Sequence, residues 1–286
     1  MSDHHAHHRP PIPVDDPARQ SEEIIRSRIG DRTPRLAMIL GSGLGGFAER
    51  LENPVQIPYA DLPGFPIPTV SGHGGTLYCG TIAGQDVIAL QGRQHAYEGH
   101  GFAGLKTMIR TQKRLGVDTL LVTCAAGSLN PDAGPGSVMA IRDHINLSGQ
   151  NPLVGPNDDA WGDRFVPLAG AWDPDTRTAL IEAASDVGEP ITTGVYAWWL
   201  GPAFETPAEI QLLARLGANA VGMSSVPDCI IARHCGLRVV GLAAITNLAE
   251  GMSPVPISHD QTLTGAKLAG DRLQRIVTRF LERFDG

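Results

Sequence analysis

Runs of consecutive apolar residues alternate along the chain with segments in which apolar residues recur every three or four positions. The runs predict buried strands and the spaced pattern predicts helices. The predicted strands are Leu36–Leu40, 119–123, 137–146, 195–200, 218–224 and 237–245, with a hairpin formed by 76–81 and 86–90. The predicted helices are Pro17–Ile29, 102–115, 176–187, 207–213, 227–235 and 258–284. This alternation predicts an α/β fold with a largely parallel sheet.

Small or polar motifs follow several of the predicted strands. In a largely parallel sheet the carboxyl ends of the strands gather on one side, where ligands bind. Arg93 and His95 are two residues apart in an extended segment, so both side chains would point the same way and could hold a phosphate. A surface loop with an incidental Arg and His explains this motif equally well.

Phe204 and Glu205 stand side by side between a predicted strand and a predicted helix. The aromatic ring can stack on a flat heterocycle, and the carboxylate can accept hydrogen bonds from ring N–H groups. The alternative is a core Phe beside an acid that favours the first turn of a helix.

The glycine-rich segment 41–46 follows the first strand and admits two interpretations. Gly41, Gly43 and Gly46 match G-x-G-x-x-G, which in a dinucleotide site needs an acidic residue about 20 positions on, after a second strand. Asp61 is at that distance, but its surroundings predict a loop with no convincing strand before it. A phosphate loop that uses the Ser42 hydroxyl makes fewer demands.

The composition limits the classes of protein to which the chain can belong. The 286 residues, 42% of them apolar, suffice for one large α/β domain or two small ones. No apolar run is long enough to span a membrane, and the His-rich and Pro-rich residues 1–16 predict a disordered tail without a secretion signal. The net charge of −7 argues against nucleic acid as a partner. The four cysteines lack zinc-like spacing, which favours a reduced, cytoplasmic setting and no metal site.

Taken together, the motifs over about residues 36–260 resemble those of the trimeric, low-molecular-mass purine nucleoside phosphorylases. The matching segments, in the order of that family, are 41–45, 72–75, 91–99, 125–130, 142–146, 201–206, 221–224, 232–236 and 245–247. The resemblance implies one domain over residues 17–286, an α/β fold with a central mixed, largely parallel sheet flanked by helices. It also implies a homotrimer.

The resemblance assigns roles to individual residues. The side chains that it implies for phosphate, together with the backbone of Ala125, are Ser42, His73, Arg93, His95 and Ser224. Those that it implies for the purine and ribose are Tyr97, Tyr196, Phe204, Glu205, Val221, Met223, Asn247 and His259. Of these, Asn247, Glu205 and His95 are the expected catalytic residues. Trp161 occupies the position of an aromatic residue that closes the ribose pocket of a neighbouring subunit.

The implied reaction is reversible phosphorolysis of purine (2′-deoxy)ribonucleosides in purine salvage. Inorganic phosphate is the co-substrate, and no other cofactor or metal is needed. An amide at Asn247 suits 6-oxopurines because it can both donate and accept a hydrogen bond. Cys124 and Ser128 depart from the family pattern beside the pocket, where they can affect affinity and base preference rather than reaction type.

Three rival functions remain to be distinguished. A 5′-methylthioadenosine phosphorylase would share the phosphate site, although Asn247 and Glu205 argue against it. An NAD-dependent oxidoreductase would use the segment 41–46, and a nucleoside-binding protein would bind without catalysis. The phosphorylase interpretation requires that Arg93 and Asn247 line the same cavity.

Overall fold

The computed structural model describes residues 16–41, 44–68, 75–253 and 259–284, the side chains of 259–263 apart. The described helices are α1 (Pro17–Ile29), α2 (Ala103–Arg114), α3 (Pro174–Asp186), α4 (Pro207–Arg215), α5 (Val226–His234) and α6 (His259–Glu282). The described strands are β1 (Leu36–Leu40), β2 (Glu52–Pro58), β3 (Thr76–Ile82), β4 (Gln85–Gln91), β5 (Thr119–Ser128), β6 (Val138–Asn146), β7 (Thr192–Trp198), β8 (Ala220–Gly222) and β9 (Arg238–Leu248). Short 3₁₀ turns cover Gly45–Arg50, Tyr59–Asp61 and Ala96–Glu98.

These strands form one mixed sheet in the order β2-β3-β4-β1-β5-β8-β7-β6-β9. Strand β9 also pairs with β5, so that β5, β8, β7, β6 and β9 form a closed ring. The pairs β1–β4, β1–β5, β5–β9, β6–β7 and β7–β8 are parallel, and the others are antiparallel. The predicted α/β class with a mixed sheet flanked by helices is therefore confirmed.

Helices cover both faces of this sheet. On β1, Ala37 and Ile39 pack into the cluster that contains α1, α2 and α5, whereas Leu36, Met38 and Leu40 pack against the cluster of α3 and α6. Because neighbouring side chains of a strand point to opposite faces, both faces of β1 are buried, which explains its uninterrupted apolar sequence.

Strand β2 is the main correction to the predicted elements. The expectation that no strand precedes Asp61 is wrong, since β2 pairs antiparallel with β3 at the edge of the sheet. Most of β2 is exposed, and it carries Pro54 and Pro58, which an edge strand tolerates. Asp61 lies at the surface in an ion pair with Arg28 (3.4 Å) and does not line the cavity described below.

The N-terminal boundary also differs slightly from the prediction. Asp16, assigned to the disordered tail, is the N-cap of α1, and its Oδ1 accepts a hydrogen bond from the Ala18 N–H (2.8 Å). Residues 1–15 lie outside the described residues. None of the helices in the described ranges is long and apolar enough to cross a membrane.

Helix α6 makes a close backbone contact with β9 at Gly265. A Cβ atom at this position would lie 2.0 Å from the carbonyl oxygen of Thr246, so only glycine fits. The contact fixes the carboxyl end of β9, and with it Asn247, relative to α6.

Candidate active site

A cavity of about 480 Å³ lies where the ends of several strands converge. Its lining is formed by Gly41, Arg93, His95, Tyr97, Cys124, Ala125, Ala126, Gly127, Pro202, Phe204, Glu205, Val221, Gly222, Met223, Ser224, Thr246 and Asn247. Arg93 and Asn247 therefore line the same cavity, as the interpretation from sequence requires. Ten of the predicted site residues are in this lining.

The glycine-rich segment reaches the cavity through a close contact with β5. The Gly41 N–H donates to Thr123 Oγ1 (2.9 Å), and a Cβ atom on Gly41 would lie 2.3 Å from the Thr123 carbonyl oxygen. A glycine is therefore needed for β1 to end here. Ser42 and His73 lie outside the described residues, so their predicted phosphate contacts stay predictions.

Arg93 brings a buried positive charge to the cavity wall. Its side chain is only 2% exposed. Nη1 donates to Ser225 Oγ (2.9 Å) and to Asp228 Oδ2 (3.3 Å), and Nη2 donates to the Thr123 carbonyl oxygen. The position of the guanidinium is thus set by β5 and by the first turn of α5.

His95 and Tyr97 are held by the 3₁₀ turn that follows Arg93. Their rings stack with centroids 4.8 Å apart and an interplanar angle of 13°. The His95 N–H donates to Glu98 Oε1 (2.6 Å), and His95 Nδ1 lies 3.5 Å from the same oxygen. The carboxylate therefore fixes both the backbone and the ring of His95 at the cavity wall.

The junction between β8 and α5 is supported from behind by Tyr196. This side chain is fully buried and does not line the cavity, in contrast to its predicted place in the base or sugar pocket. Its hydroxyl accepts a hydrogen bond from the Ser224 N–H (3.3 Å). A Cβ atom on Gly222 would lie 2.4 Å from that hydroxyl, so Tyr196 fixes the backbone that presents Ser224.

Phe204 and Glu205 project from the segment between β7 and α4. The next residue, Thr206, caps α4 in a reciprocal capping box with Glu209, which holds the segment in place. Phe204 is half-exposed, whereas Glu205 is only 5% exposed. Burial raises the pKa of the Glu205 carboxyl, an effect to which Glu209 and Glu250 add.

A bulge in the pairing of β5 with β9 positions Asn247. The register shifts after Ala126, so that Gly127 lies opposite Asn247. Thr246 Oγ1 donates to Asn247 Oδ1 (2.7 Å), and Asn247 Nδ2 donates to the Leu248 carbonyl oxygen (2.9 Å). These bonds orient the amide at the cavity wall, and an amide nitrogen has a second N–H to offer a ligand.

Of the two remaining predicted positions, Trp161 lies outside the cavity lining, and His259 is described only by its backbone. Trp161 is 4% exposed in the core of its own chain, with the Arg110 guanidinium 5.1 Å from its ring centroid. Its predicted contact with a neighbouring subunit stays a prediction. His259 is the first residue of α6, and its side chain lies outside the described residues, so its ribose role also stays a prediction.

The two departures from the family pattern have different surroundings. Cys124 lines the cavity, and burial raises the pKa of its thiol, so the neutral form is favoured. Ser128 points away into a turn, where its hydroxyl donates to the Asn130 carbonyl oxygen (3.0 Å). Of the two, only Cys124 is placed to influence ligand binding directly.

Sequence reasoning missed the partners of Arg93. Ser225 and Asp228 lie more than 130 positions from Arg93 in the chain, and no local pattern links them to it. The available signal was the sequence Ser-Ser-Val-Pro-Asp at the start of a predicted helix. No group of three or more His, Cys, Asp or Glu side chains within the described ranges could hold a metal ion.

Comparison with known proteins assigns the chain to a family. The family model described as "Phosphorylase superfamily" matches residues 35–282. Purine nucleoside phosphorylase 1 of Bacillus subtilis is 46% identical over 231 residues, which cover 81% of this chain and 85% of that protein.

Solved structures agree with the sequence comparison. A Schistosoma purine nucleoside phosphorylase in complex with hypoxanthine has a TM-score of 0.88 at 35% identity, covering 94% of this chain and 97% of that one. Isoform 2 of the Schistosoma mansoni enzyme, in complex with cytosine and ribose-1-phosphate, has a TM-score of 0.89 at 36% identity, with the same coverage. The chain therefore belongs to the phosphorylase superfamily and, within it, to the purine nucleoside phosphorylases. Its activity is that of a purine-nucleoside phosphorylase.

The buried carboxylate of Glu205 predicts a pH-dependent cost in stability. A carboxyl whose pKa is raised by folding destabilises the native state once the pH rises above the ordinary carboxyl range. We expect Glu205→Gln to raise the midpoint of thermal unfolding at pH 7–8 relative to the wild type. The gain should shrink as the pH falls through the carboxyl range, because the wild-type side chain then becomes neutral as well.

The control for this measurement is Glu49→Gln, which removes an exposed carboxylate of the Gly45–Arg50 turn. Thermal unfolding of the three proteins in a pH series should show a pH-dependent difference only for Glu205→Gln. A difference in unfolding midpoint that stays constant across the pH series would contradict a raised pKa for Glu205.

Proposed function

We propose that this enzyme catalyses the reversible phosphorolysis of purine (2′-deoxy)ribonucleosides, with a preference for the 6-oxopurine nucleosides inosine and guanosine. The products are a free purine and (2-deoxy)ribose 1-phosphate, and the reaction serves purine salvage. The observation that carries the proposal is the shared cavity, which combines a buried cation, Arg93, with a buried carboxylate, Glu205, and an oriented amide, Asn247.

The phosphate is proposed to bind Arg93, His95, Ser224 and the backbone of Ala125, together with Ser42 and His73. Arg93 offers a planar fork of N–H donors that matches an oxyanion, and its burial strengthens the attraction. The solved Schistosoma mansoni relative in complex with ribose-1-phosphate supports a sugar phosphate as the ligand of this family's site.

The purine is proposed to stack on Phe204 and to bond Glu205 and Asn247. Glu205 accepts the N1–H of a 6-oxopurine, while the Asn247 amide bonds N7 and O6. The raised pKa of Glu205 suits this role, since a carboxylate that is poorly solvated gains more from a purine N–H donor. The solved relative in complex with hypoxanthine supports a purine as the ligand of this part of the cavity.

The ribose is proposed to lie between these groups, against Tyr97, Val221 and Met223, with His259 at its 5′-hydroxyl. A phosphate oxygen attacks C1′, the C1′–N9 bond breaks, and its electron pair stays on the purine. Glu205 and Asn247 stabilise the charge that builds on the base, and the phosphate balances the charge that builds on the sugar. The phosphate is itself the nucleophile, so no covalent enzyme intermediate and no cofactor is required.

A coupled assay tests this proposal. Xanthine oxidase reports hypoxanthine, so incubation of the protein with inosine should give a signal that requires inorganic phosphate. Release of hypoxanthine without phosphate, or binding of inosine without any release, would contradict phosphorolysis. Turnover of 5′-methylthioadenosine in preference to inosine would favour the alternative, a 5′-methylthioadenosine phosphorylase.

Asn247 is expected to set the preference for the group at C6 of the purine. An Asp at this position accepts hydrogen bonds but does not donate them, so it favours a 6-amino group over a 6-oxo group. We expect Asn247→Asp to lower kcat/KM for inosine and to shift the inosine/adenosine ratio toward adenosine by roughly tenfold or more.

The matched control is Asn53→Asp, which adds the same charge at an exposed position of β2. Its inosine/adenosine ratio should equal that of the wild type. An unchanged ratio in Asn247→Asp would refute the assignment of the amide to the base.

We also propose that the enzyme is a cytoplasmic homotrimer. The four cysteines are all buried, as is common for thiols of proteins in a reducing compartment. In the long segment between β6 and α3, Phe165 is 87% exposed and Val154 is 77% exposed. Large apolar side chains displayed together mark interaction surfaces, so we place the neighbouring subunit against this segment, which also contains Trp161.

The expected mass in solution is three times the 30.3 kDa of the chain, measured by gel filtration with light scattering. We expect Phe165→Asp to shift the protein toward smaller species, because a charge would be buried in the contact. Leu268→Asp, at an exposed position of α6, is the control and should leave the mass unchanged. A trimer that resists Phe165→Asp would place the interface elsewhere.

A further inference from the structure

Asp228 is the charged partner of Arg93, although it does not line the cavity. Its side chain is 2% exposed, and its Oδ2 lies 3.3 Å from Arg93 Nη1. It belongs to the first turn of α5, directly after the segment that presents Ser224 to the cavity. The mechanism proposed above does not use this carboxylate.

Ser225 is the second group that holds Arg93 from outside the cavity. It is fully buried, and its Oγ accepts from the same Nη1 at 2.9 Å. Its φ of 70° is in the left-handed region, which residues with a Cβ rarely adopt. Strained backbone of this kind persists where the surrounding structure imposes it, and here it brings the hydroxyl to the guanidinium.

We propose that Asp228, assisted by Ser225, is a positioning residue for phosphate. It holds the Arg93 guanidinium at the cavity wall before phosphate binds, and it thereby sets phosphate affinity without contacting the substrate. This inference rests on the proposed function of the cavity.

The geometry gives each group a distinct part. An arginine side chain has several rotatable bonds, and its fork binds an oxyanion well only when its orientation is fixed in advance. Asp228 and Ser225 fix Nη1, and the Thr123 carbonyl oxygen fixes Nη2. Strand β5 and the start of helix α5 therefore define the orientation of the guanidinium.

A carboxylate that only balanced the charge of Arg93 would have the opposite effect on phosphate affinity. It would compete with phosphate for Arg93, so its removal would strengthen phosphate binding. A positioning carboxylate, by contrast, weakens phosphate binding when it is removed. The sign of the change in phosphate affinity therefore distinguishes the two roles.

The experiment compares Asp228→Asn, Asp228→Ala and Ser225→Ala with the wild type. Isothermal titration calorimetry gives the Kd of inorganic phosphate, and steady-state kinetics gives KM for phosphate and for inosine. We expect Asp228→Asn to weaken phosphate binding roughly tenfold, Asp228→Ala to weaken it more, and Ser225→Ala to weaken it least. KM for inosine at saturating phosphate should stay near the wild-type value.

Asp118→Asn is the matched control. Asp118 also accepts from arginines, with Arg35 Nε at 2.8 Å and Arg238 Nη2 at 3.0 Å, but it lies beside the first residue of β5, at the strand end away from the cavity. This variant should keep the wild-type Kd for phosphate even if it unfolds at a lower temperature.

Each outcome decides the proposal. Unchanged or tighter phosphate binding in Asp228→Asn overturns it, and so do equal losses for phosphate and inosine, which would indicate general damage. If the Asp228 variants do not fold, a phosphate-specific loss in Ser225→Ala supports the proposal and its absence overturns it. A wild type that binds phosphate but does not cleave inosine would refute the phosphorolysis proposal, while calorimetry would still test Asp228.

Discussion

The buried guanidinium of Arg93 is the interaction on which the arrangement of the cavity depends. Transferring an isolated cation from water into a protein interior costs several kcal/mol even after relaxation, so such a group is stable only with partners on several sides. Here the partners come from β5 and from the start of α5. A chain that buries Arg93 must therefore bring these two segments together, and the cavity forms where they meet.

Close backbone contacts also fix the positions of the segments that form the cavity wall. Gly41 allows β1 to end against Thr123, and Gly222 leaves room for the Tyr196 hydroxyl that supports Ser224. A methyl group at either glycine would move a strand end away from the cavity. These contacts hold the backbone segments that carry the polar groups of the site.

Much of the fold could be predicted because buried strands have a recognisable sequence pattern. The uninterrupted apolar sequence of β1 follows from packing on both faces, and the hairpin of β3 and β4 follows from the turn at Ala83 and Gly84. Strand β2 escaped prediction because it lies at an edge, largely exposed, with two prolines. The sequence predicts that β5 ends at residue 123, whereas the strand continues to Ser128. Residues 124–128 are small and lack the large apolar side chains that identify a buried strand.

The candidate site could be predicted from short motifs of neighbouring residues. Phe204 and Glu205 follow strand β7, and Asn247 lies near the end of β9, so all three are close to apolar runs that are visible in the sequence. Pairings across the chain are not visible in this way. Asp228 reads as a favourable acid at a helix N-terminus, and only the fold shows that it faces Arg93. Tyr196 likewise reads as a pocket aromatic, whereas the fold places its ring behind the cavity wall.

The position of Asn247 depends on helix α6 as well as on strand β9. The amide is oriented by Thr246 and Leu248, and the Thr246 carbonyl is in turn fixed by its close approach to Gly265 of α6. The same helix begins at His259, which the family resemblance assigns to the ribose. A displacement of α6 would therefore move Asn247 and the start of the helix together, because one rigid element joins them. The orientation of Asn247 at the cavity wall therefore depends on how α6 packs on β9 as well as on the hydrogen bonds of the amide itself.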